Sequence, residues 1–135
     1  MKNILLVEDN SLERRLIDFI LKKTFEGQVN VYLACDGNEA LSILSKNRID
    51  LVLTDLVMPN VEGIELIRRI KENFPSVQNI LAMSGKNPYY LYLAKKIGVQ
   101  GVFTKPLDKD RFLNTISKLL GIKYLNPVSF VSQNN

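Results

Sequence analysis

The chain has 135 residues, of which 46% are hydrophobic and 24% are charged, and this balance is typical of one folded domain with a sizeable core. No apolar stretch is long enough to span a bilayer, and the start lacks the apolar core of a secretory signal, so we expect no membrane segment. The single cysteine, Cys35, excludes an internal disulfide and favours a reducing cytoplasm, and the absence of histidine excludes His-based triads and histidine phosphocarriers.

The net charge of +4 raises the question of nucleic-acid binding, which depends on how the basic residues are distributed. Basic pairs occur far apart in the chain, at positions 14–15, 22–23, 68–69 and 95–96. No aromatic cluster lies among them, and no recognisable DNA-binding motif accompanies them. We therefore interpret these pairs as solvated helix faces and expect no direct binding of nucleic acid.

The first half of the chain alternates between apolar runs of strand length and amphipathic stretches of helical length. Strands are predicted over residues 3–7, 29–34 and 51–54, and helices over residues 12–24 and 38–46. Asn10 is placed to cap the first helix, and Asp55 follows the third strand. The apolar residues that share one face of the first helix are Leu12, Leu16, Phe19 and Ile20. Helical spacing predicts that this face packs on the core.

The second half continues the alternation after a loop at residues 58–60. Helices are predicted over residues 62–74, 88–97 and 108–120, and strands over residues 79–83 and 101–104. Gly98 and Gly121 follow the last two helices and are suited to end them. The domain is predicted to span residues 1–122, and residues 123–135 form a C-terminal tail or the start of a linker.

The alternation of five strands with five helices predicts an α/β fold, a doubly wound parallel sheet with helices on both faces. The expected layout is flavodoxin-like, with strand order 2-1-3-4-5. In such a sheet, a functional site is expected at the carboxyl ends of the strands.

Polar residues follow the predicted strands at that edge. They are Glu8 and Asp9 after the first strand, Asp55 after the third, Ser84 after the fourth and Lys105 after the fifth. Each alone is explained by capping or exposure, but their joint placement favours a site. Clustered carboxylates repel one another unless a cation such as Mg²⁺ offsets their charge. An aspartate held there can attack phosphorus, while a lysine and a hydroxyl neutralise the transferring oxygens.

Separate segments of the chain carry a resemblance to a known family. They are residues 6–10, 34–41, 50–63, 83–85 and 104–106, which include the strand-end residues above. With them the chain resembles the receiver domain of two-component response regulators (CheY-like) from residue 1 to about residue 120. The resemblance implies a cytoplasmic signalling domain that accepts a phosphoryl group from a histidine kinase or a histidine phosphotransfer protein.

The resemblance also implies roles for individual residues. Asp55 is the implied phosphoacceptor, and Ser84 and Lys105 are the implied partners of the phosphoryl oxygens. The implied Mg²⁺ ligands are Asp9, Asp55, the backbone carbonyl of Val57 and, through water, Glu8. The Lys105–Pro106 peptide bond is expected to be cis in this family. The domain assists its own phosphorylation and dephosphorylation but is not otherwise an enzyme.

The chain departs from the family's usual pattern in two respects. Val102 stands where the family often has a switching aromatic residue, and the adjacent Phe103 is predicted to face the other side of the strand. Val57 and Lys86 occupy positions that in this family influence attack by water, and neither side chain orients a water molecule as an acid or an amide does. We therefore expect slow loss of the phosphoryl group.

The fourth helix carries three tyrosines near its start, Tyr89, Tyr90 and Tyr92. Some of them are predicted to fill the core, while the others form an exposed aromatic surface for a downstream protein or for a second copy in a phosphorylation-dependent homodimer. The chain is read either as a stand-alone receiver or as part of a longer regulator.

Three rival functions are weighed against the receiver. A phosphatase of the haloacid dehalogenase kind needs an acid two residues after its nucleophile, where Val57 stands. A flavin or nucleotide carrier needs a Gly-rich phosphate loop after the first strand, where Glu8 and Asp9 lie instead. A degenerate receiver that acts only through protein contacts is expected to lack residues such as Asp55 or Lys105, and both are present.

Overall fold

The computed structural model describes residues 1–58, 62–85 and 87–125. The strands are β1 (Lys2–Val7), β2 (Val29–Ala34), β3 (Leu51–Asp55), β4 (Asn79–Ser84) and β5 (Gly101–Thr104). The helices are α1 (Ser11–Thr24), α2 (Gly37–Lys46), α3 (Gly63–Asn73), α4 (Pro88–Ile97) and α5 (Lys109–Leu120). The strands form one parallel sheet in the order β2-β1-β3-β4-β5, which confirms the predicted fold.

The centre of the sheet is apolar because helices cover both of its faces. All five residues of β3 are buried, and alternate residues of that strand enter different cores. Val52 lies in a cluster with Leu5 of β1, whereas Leu53 lies in a second cluster with Leu6. This alternation across one strand explains why the central strands read as continuous apolar runs.

Side-chain caps fix where four helices begin. Asn10 accepts a hydrogen bond from the backbone N–H of Glu13 at 2.9 Å, which confirms its predicted role at the start of α1. Asp36, Asn87 and Asp108 likewise accept a backbone N–H of the first turn of α2, α4 and α5, respectively. Since each helix follows a strand through a short loop, these caps set the helix N-termini near the carboxyl edge of the sheet.

The prediction of which face of α1 packs on the core is wrong. Leu12, Leu16 and Phe19 are 76%, 57% and 64% exposed, and only Ile20 of that set packs against the core. The buried residues of the helix are Ile17 and Leu21. Apolar residues occupy more than half of the helix circumference, so two faces satisfy the same helical spacing, and contact with β1 and β2 selects the second one.

The chain after α5 remains packed on the domain as far as Tyr124. Gln28 and Lys123 exchange hydrogen bonds, and the Tyr124 hydroxyl donates to Asp110 at 2.7 Å. The ring of Tyr124 lies edge-on to Phe25, with a centroid separation of 6.1 Å. Residues 126–135 of the predicted tail, residues 59–60 of the predicted loop and Lys86 lie outside the described residues.

Among residues 1–58, 62–85 and 87–125, no helix combines the length and the apolar character needed to cross a bilayer.

We predict that Gly63→Ala destabilises the protein by about 3 kcal/mol. A Cβ atom at position 63 would overlap the backbone oxygen of Asp55 and lie 2.5 Å from the Cα atom of Leu56. The chain must therefore shift where β3 ends, and urea unfolding measures the cost. Gly27→Ala is the matched control, since its Cβ meets nothing within 4 Å and only the positive φ of 77° is strained. It is expected to cost about 1 kcal/mol. Equal losses in the two variants would contradict the account.

Candidate functional site

The carboxyl ends of four strands meet at one cleft of about 510 Å³. Every residue predicted for the site lines this cleft: Glu8, Asp9, Asp55, Val57, Ser84 and Lys105. Glu8 and Asp9 follow β1, Asp55 and Ser84 end β3 and β4, and Lys105 follows β5. Parallel strands carry their carboxyl ends to the same edge, so residues up to 97 positions apart in sequence come into contact.

Three carboxylates gather on one side of the cleft. Glu8 is fully buried, Asp55 is 7% exposed and Asp9 is exposed. One oxygen from each side chain lies within 4.8 Å of the other two, close enough for a single ion to contact all three. Oxygen ligands of this kind are those that Mg²⁺ prefers. The donor set and its spacing therefore fit a hard divalent cation.

The Asp55 carboxylate is held in place by its own backbone neighbour. Its Oδ1 atom accepts a hydrogen bond from the N–H of Leu56 at 2.8 Å. Its Oδ2 atom lies 3.4 Å from the Nζ atom of Lys105. The carboxylate is thus fixed at the end of a buried strand, with one oxygen turned toward a cation.

Lys105 makes two stronger contacts than the one to Asp55. Its Nζ atom donates to Glu8 Oε1 at 2.6 Å and to Glu13 Oε2 at 2.9 Å. Glu13 was not among the site residues predicted from the sequence. The sequence feature that could have identified it is its position in the first turn of α1, three residues after the Asn10 cap, because that turn lies beside the end of β1. The Lys105–Pro106 bond is cis, as expected.

Burial and pairing shift the ionisation of these groups. Burial raises the pKa of Glu8 from 4.5 to about 7, and the nearby Asp55 charge adds to this, although the hydrogen bond from Lys105 opposes it. The same hydrogen-bonding ammonium lowers the pKa of the half-exposed Glu13. For Lys105, burial lowers the pKa, but hydrogen bonds to Glu8 and Glu13 outweigh it and leave the pKa above its ordinary value. Lys105 is therefore charged at neutral pH.

The hydroxyl of Ser84 belongs to a residue that lines the same cleft. Ser84 is 2% exposed, and its Oγ atom has no hydrogen-bond partner among the residues that the structure describes. A buried hydroxyl normally has such a partner. The next residue, Gly85, packs against the side chain of Lys105, so the Ser84 hydroxyl and the lysine stem border the same space.

The structure describes the residues of the first departure from the family pattern in full, and those of the second in part. Phe103 is 1% exposed and packs edge-on against Phe112 at 5.3 Å, whereas Val102 packs against the core on the other face of the sheet. The prediction that these neighbours face opposite sides is confirmed. Lys86 lies outside the described residues, so only Val57 of the second departure is placed in the cleft.

The tyrosines of α4 divide as the sequence predicts. Tyr90 packs against the core, while Tyr89 and Tyr92 are 58% and 54% exposed. The ammonium of Lys96 lies 5.5 Å from the centre of the Tyr92 ring. An exposed aromatic face therefore follows β4, the strand that ends at Ser84.

The parallel sheet and the cleft of acids, hydroxyl and lysine define a class of phosphotransfer signalling domain. Residues 4–117 match the family described as response regulator receiver domain, and the chain belongs to this family. Receiver domains are signalling domains that take part in phosphotransfer to an aspartate and generally depend on Mg²⁺. They interact with histidine kinases or phosphotransfer proteins.

Individual relatives cover this chain to different extents. It is 31% identical to sporulation initiation phosphotransferase F of Bacillus subtilis over 90% of this chain and 96% of that protein. It is 35% identical to the CAI-1 autoinducer sensor kinase/phosphatase CqsS of Vibrio cholerae, but the match spans 86% of this chain and 17% of that protein. A response regulator receiver domain protein from Clostridium thermocellum superposes with a TM-score of 0.80 at 27% identity, over 90% and 95% of the two chains.

We predict that Glu8 makes the metal-free protein less stable as the pH rises. The folded state binds the Glu8 proton more tightly than the unfolded state, because its pKa is about 7 in the fold against an ordinary value of 4.5. The stabilising contribution of that proton is full below the lower value, falls between the two and is lost above the higher one.

The measurement is denaturant unfolding in a metal chelator from about pH 4 to about pH 8, on the wild type and Glu8→Gln. The free energy of unfolding of the wild type is expected to fall relative to the variant across this range. Parallel curves for the two proteins would show that Glu8 has no raised pKa.

Proposed function

We propose that Asp55 is the phosphoacceptor of this receiver domain, and that a histidine kinase or a histidine phosphotransfer protein supplies the phosphoryl group. The observation that carries the proposal is the position of the Asp55 carboxylate. One of its oxygens lies within 4.8 Å of an oxygen of Glu8 and of Asp9, and its Oδ2 atom lies 3.4 Å from the Lys105 ammonium. An aspartate in such a place can attack phosphorus while cations offset the charge of the transferring oxygens.

In the proposed reaction, an oxygen of Asp55 forms a bond to phosphorus of the donor phosphohistidine. The phosphorus–nitrogen bond breaks, and its electron pair stays on the imidazole nitrogen. Lys105 donates a hydrogen bond to one phosphoryl oxygen, and the Ser84 hydroxyl, which has no partner among the described residues, donates to another. Both groups are present before the reaction, so they stabilise charge at the site without being recruited from solvent.

The proposed Mg²⁺ ligands are Asp9, Asp55, the backbone carbonyl of Val57 and, through water, Glu8. When bound there, Mg²⁺ supplies positive charge to the transferring phosphoryl oxygens. Asp9 is exposed, whereas Glu8 is fully buried, so the two acids suit direct and supporting roles respectively. Lys105 alone does not neutralise the acids of the cleft, and this excess of negative charge favours a divalent cation.

A phosphodonor protein has to cover the rim of the cleft, because Asp55 is only 7% exposed. The exposed apolar face of α1 adjoins that rim through Glu13, and it consists of Leu12, Leu16 and Phe19. Exposed apolar patches beside a reactive group are suited to a protein partner. We assign this face to the phosphodonor protein. The proposed function of the domain is that of a phosphoacceptor in a cytoplasmic phosphorelay, rather than that of an enzyme acting on small molecules.

The signal leaves the domain through the segment that follows β4. Ser84 ends this strand, and α4 begins four residues later at Pro88. A hydrogen bond from Ser84 to the phosphoryl group favours one arrangement of this segment over another, and thereby changes the exposed face of α4. We propose that Tyr89 and Tyr92 of this face bind a downstream protein or a second copy of the chain. The apolar Val57 side chain favours slow hydrolysis of the acyl phosphate and a long-lived signal.

We predict that incubation with acetyl phosphate and Mg²⁺ adds one phosphoryl group to the wild type and none to Asp55→Asn. Intact-mass spectrometry measures the addition. Asp18→Asn is the matched control, because it removes an acid from α1 outside the cleft, and it is expected to behave as the wild type. Addition to Asp55→Asn would assign the phosphoacceptor elsewhere. No addition to any protein would support a degenerate receiver that acts through protein contacts alone.

We predict that replacing both Tyr89 and Tyr92 with Ala abolishes phosphorylation-dependent dimerisation while leaving phosphorylation of Asp55 unchanged. The loss of two exposed rings removes apolar contact area without touching the cleft. Analytical ultracentrifugation of proteins phosphorylated with acetyl phosphate measures the change. Phe19→Ala, which removes an exposed ring from α1, is expected to leave dimerisation intact. A dimer that survives the double replacement would contradict this role of α4, whereas a phosphorylated wild type that stays monomeric would exclude the second copy and leave a downstream protein as the partner of this face.

A further inference from the structure

Glu13 is the partner of Lys105 to which the proposed reaction gives no role. It lies in the first turn of α1 and accepts a hydrogen bond from the Lys105 ammonium at 2.9 Å. This contact is shorter than the 3.4 Å from the same ammonium to Asp55. In the unphosphorylated protein, Lys105 is therefore bound more closely to Glu13 than to the residue that reacts.

All the donors of the Lys105 ammonium are already in use. A lysine has three N–H groups, and here they face the carboxylates of Glu8, Glu13 and Asp55. A phosphoryl oxygen on Asp55 therefore gains a full hydrogen bond from Lys105 only if another carboxylate gives one up.

The three carboxylates differ in what that exchange costs. The Glu8 side chain is fully buried, so without Lys105 it would be left as an uncompensated buried charge. The Glu13 side chain is 46% exposed, so water can replace the lysine as its hydrogen-bond donor. Glu13 is thus the partner that Lys105 can leave most easily.

We propose that Glu13 is a positioning residue that holds Lys105 in a resting place and slows phosphorylation of Asp55. When the phosphoryl group arrives, Lys105 keeps its bond to Glu8 and exchanges Glu13 for a phosphoryl oxygen. This inference rests on the proposed role of Asp55 as phosphoacceptor. It makes Glu13 a determinant of how readily the domain is switched, in addition to the residues that contact the phosphoryl group.

The test compares the wild type with Glu13→Gln in two measurements. The first is the rate of phosphorylation by acetyl phosphate at saturating Mg²⁺, followed by intact mass. The second is the affinity for beryllofluoride, which mimics the bound phosphoryl group. Both are expected to rise about two- to fivefold in Glu13→Gln, the range that corresponds to a half-exposed ion pair. A purely structural role would instead change the midpoint of thermal unfolding without changing these quantities.

Two further variants separate positioning from general electrostatics. Glu26→Gln removes the same charge at the opposite edge of the sheet, between α1 and β2, and is expected to change neither quantity. In a Lys105→Gln background, the effect of Glu13→Gln is expected to disappear, because the lysine that Glu13 positions is gone. An effect that persists there would overturn the positioning role and assign the change to charge alone.

The outcomes also distinguish this inference from the proposed function. A wild type that is phosphorylated on Asp55, with Glu13→Gln reacting at the same rate or more slowly, would contradict the role of Glu13 alone. A wild type that is never phosphorylated would contradict the proposed function of Asp55, and the role of Glu13 with it.

Discussion

The cleft depends on the ion pairs of the Lys105 ammonium group. They join the carboxylates of Glu8 after β1, Glu13 in α1 and Asp55 at the end of β3. Glu8 is fully buried, and a buried acid that loses its cationic partner destabilises a protein by about 3–5 kcal/mol. Burial raises the pKa of Glu8 to about 7 although Lys105 opposes this, and one ammonium faces the three carboxylates of Glu8, Glu13 and Asp55. This imbalance suits a site that takes up a divalent cation and then a phosphoryl group.

The fold makes this arrangement possible by bringing distant residues to one edge. Glu8 and Lys105 are 97 positions apart in sequence, yet parallel strands carry both to the same side of the sheet. The buried central strands hold the carboxylate of Asp55, the proposed phosphoacceptor, in place, because all five residues of β3 are buried and Gly63 packs directly against its end. The face proposed to carry the signal lies at the periphery, where Tyr89 and Tyr92 of α4 are exposed. The buried site at the end of β3 and the exposed contact face of α4 are therefore separate parts of one domain.

The fold and the site could be predicted from the sequence to different depths. Strand order and the convergence of Asp55, Ser84 and Lys105 follow from alternating apolar runs and from residues that end strands, which are local signals. The inner face of α1 could not be assigned, because its apolar residues fit two faces and only packing against the sheet selects Ile17 and Leu21. Glu13 was missed for a related reason, since its contact with Lys105 depends on the rotation of α1 about its axis.

The central claim is that one cleft binds Mg²⁺ and holds the phosphoryl group on Asp55 between Ser84 and Lys105. The most direct measurement is NMR of the isotope-labelled protein, following the Ser84 amide and the Lys105 side chain during titration with Mg²⁺ and beryllofluoride. The account predicts that both resonances shift together only when Mg²⁺ and beryllofluoride are present, and that neither responds to beryllofluoride in Asp55→Asn. Shifts that do not require Mg²⁺, or that persist without Asp55, would contradict it.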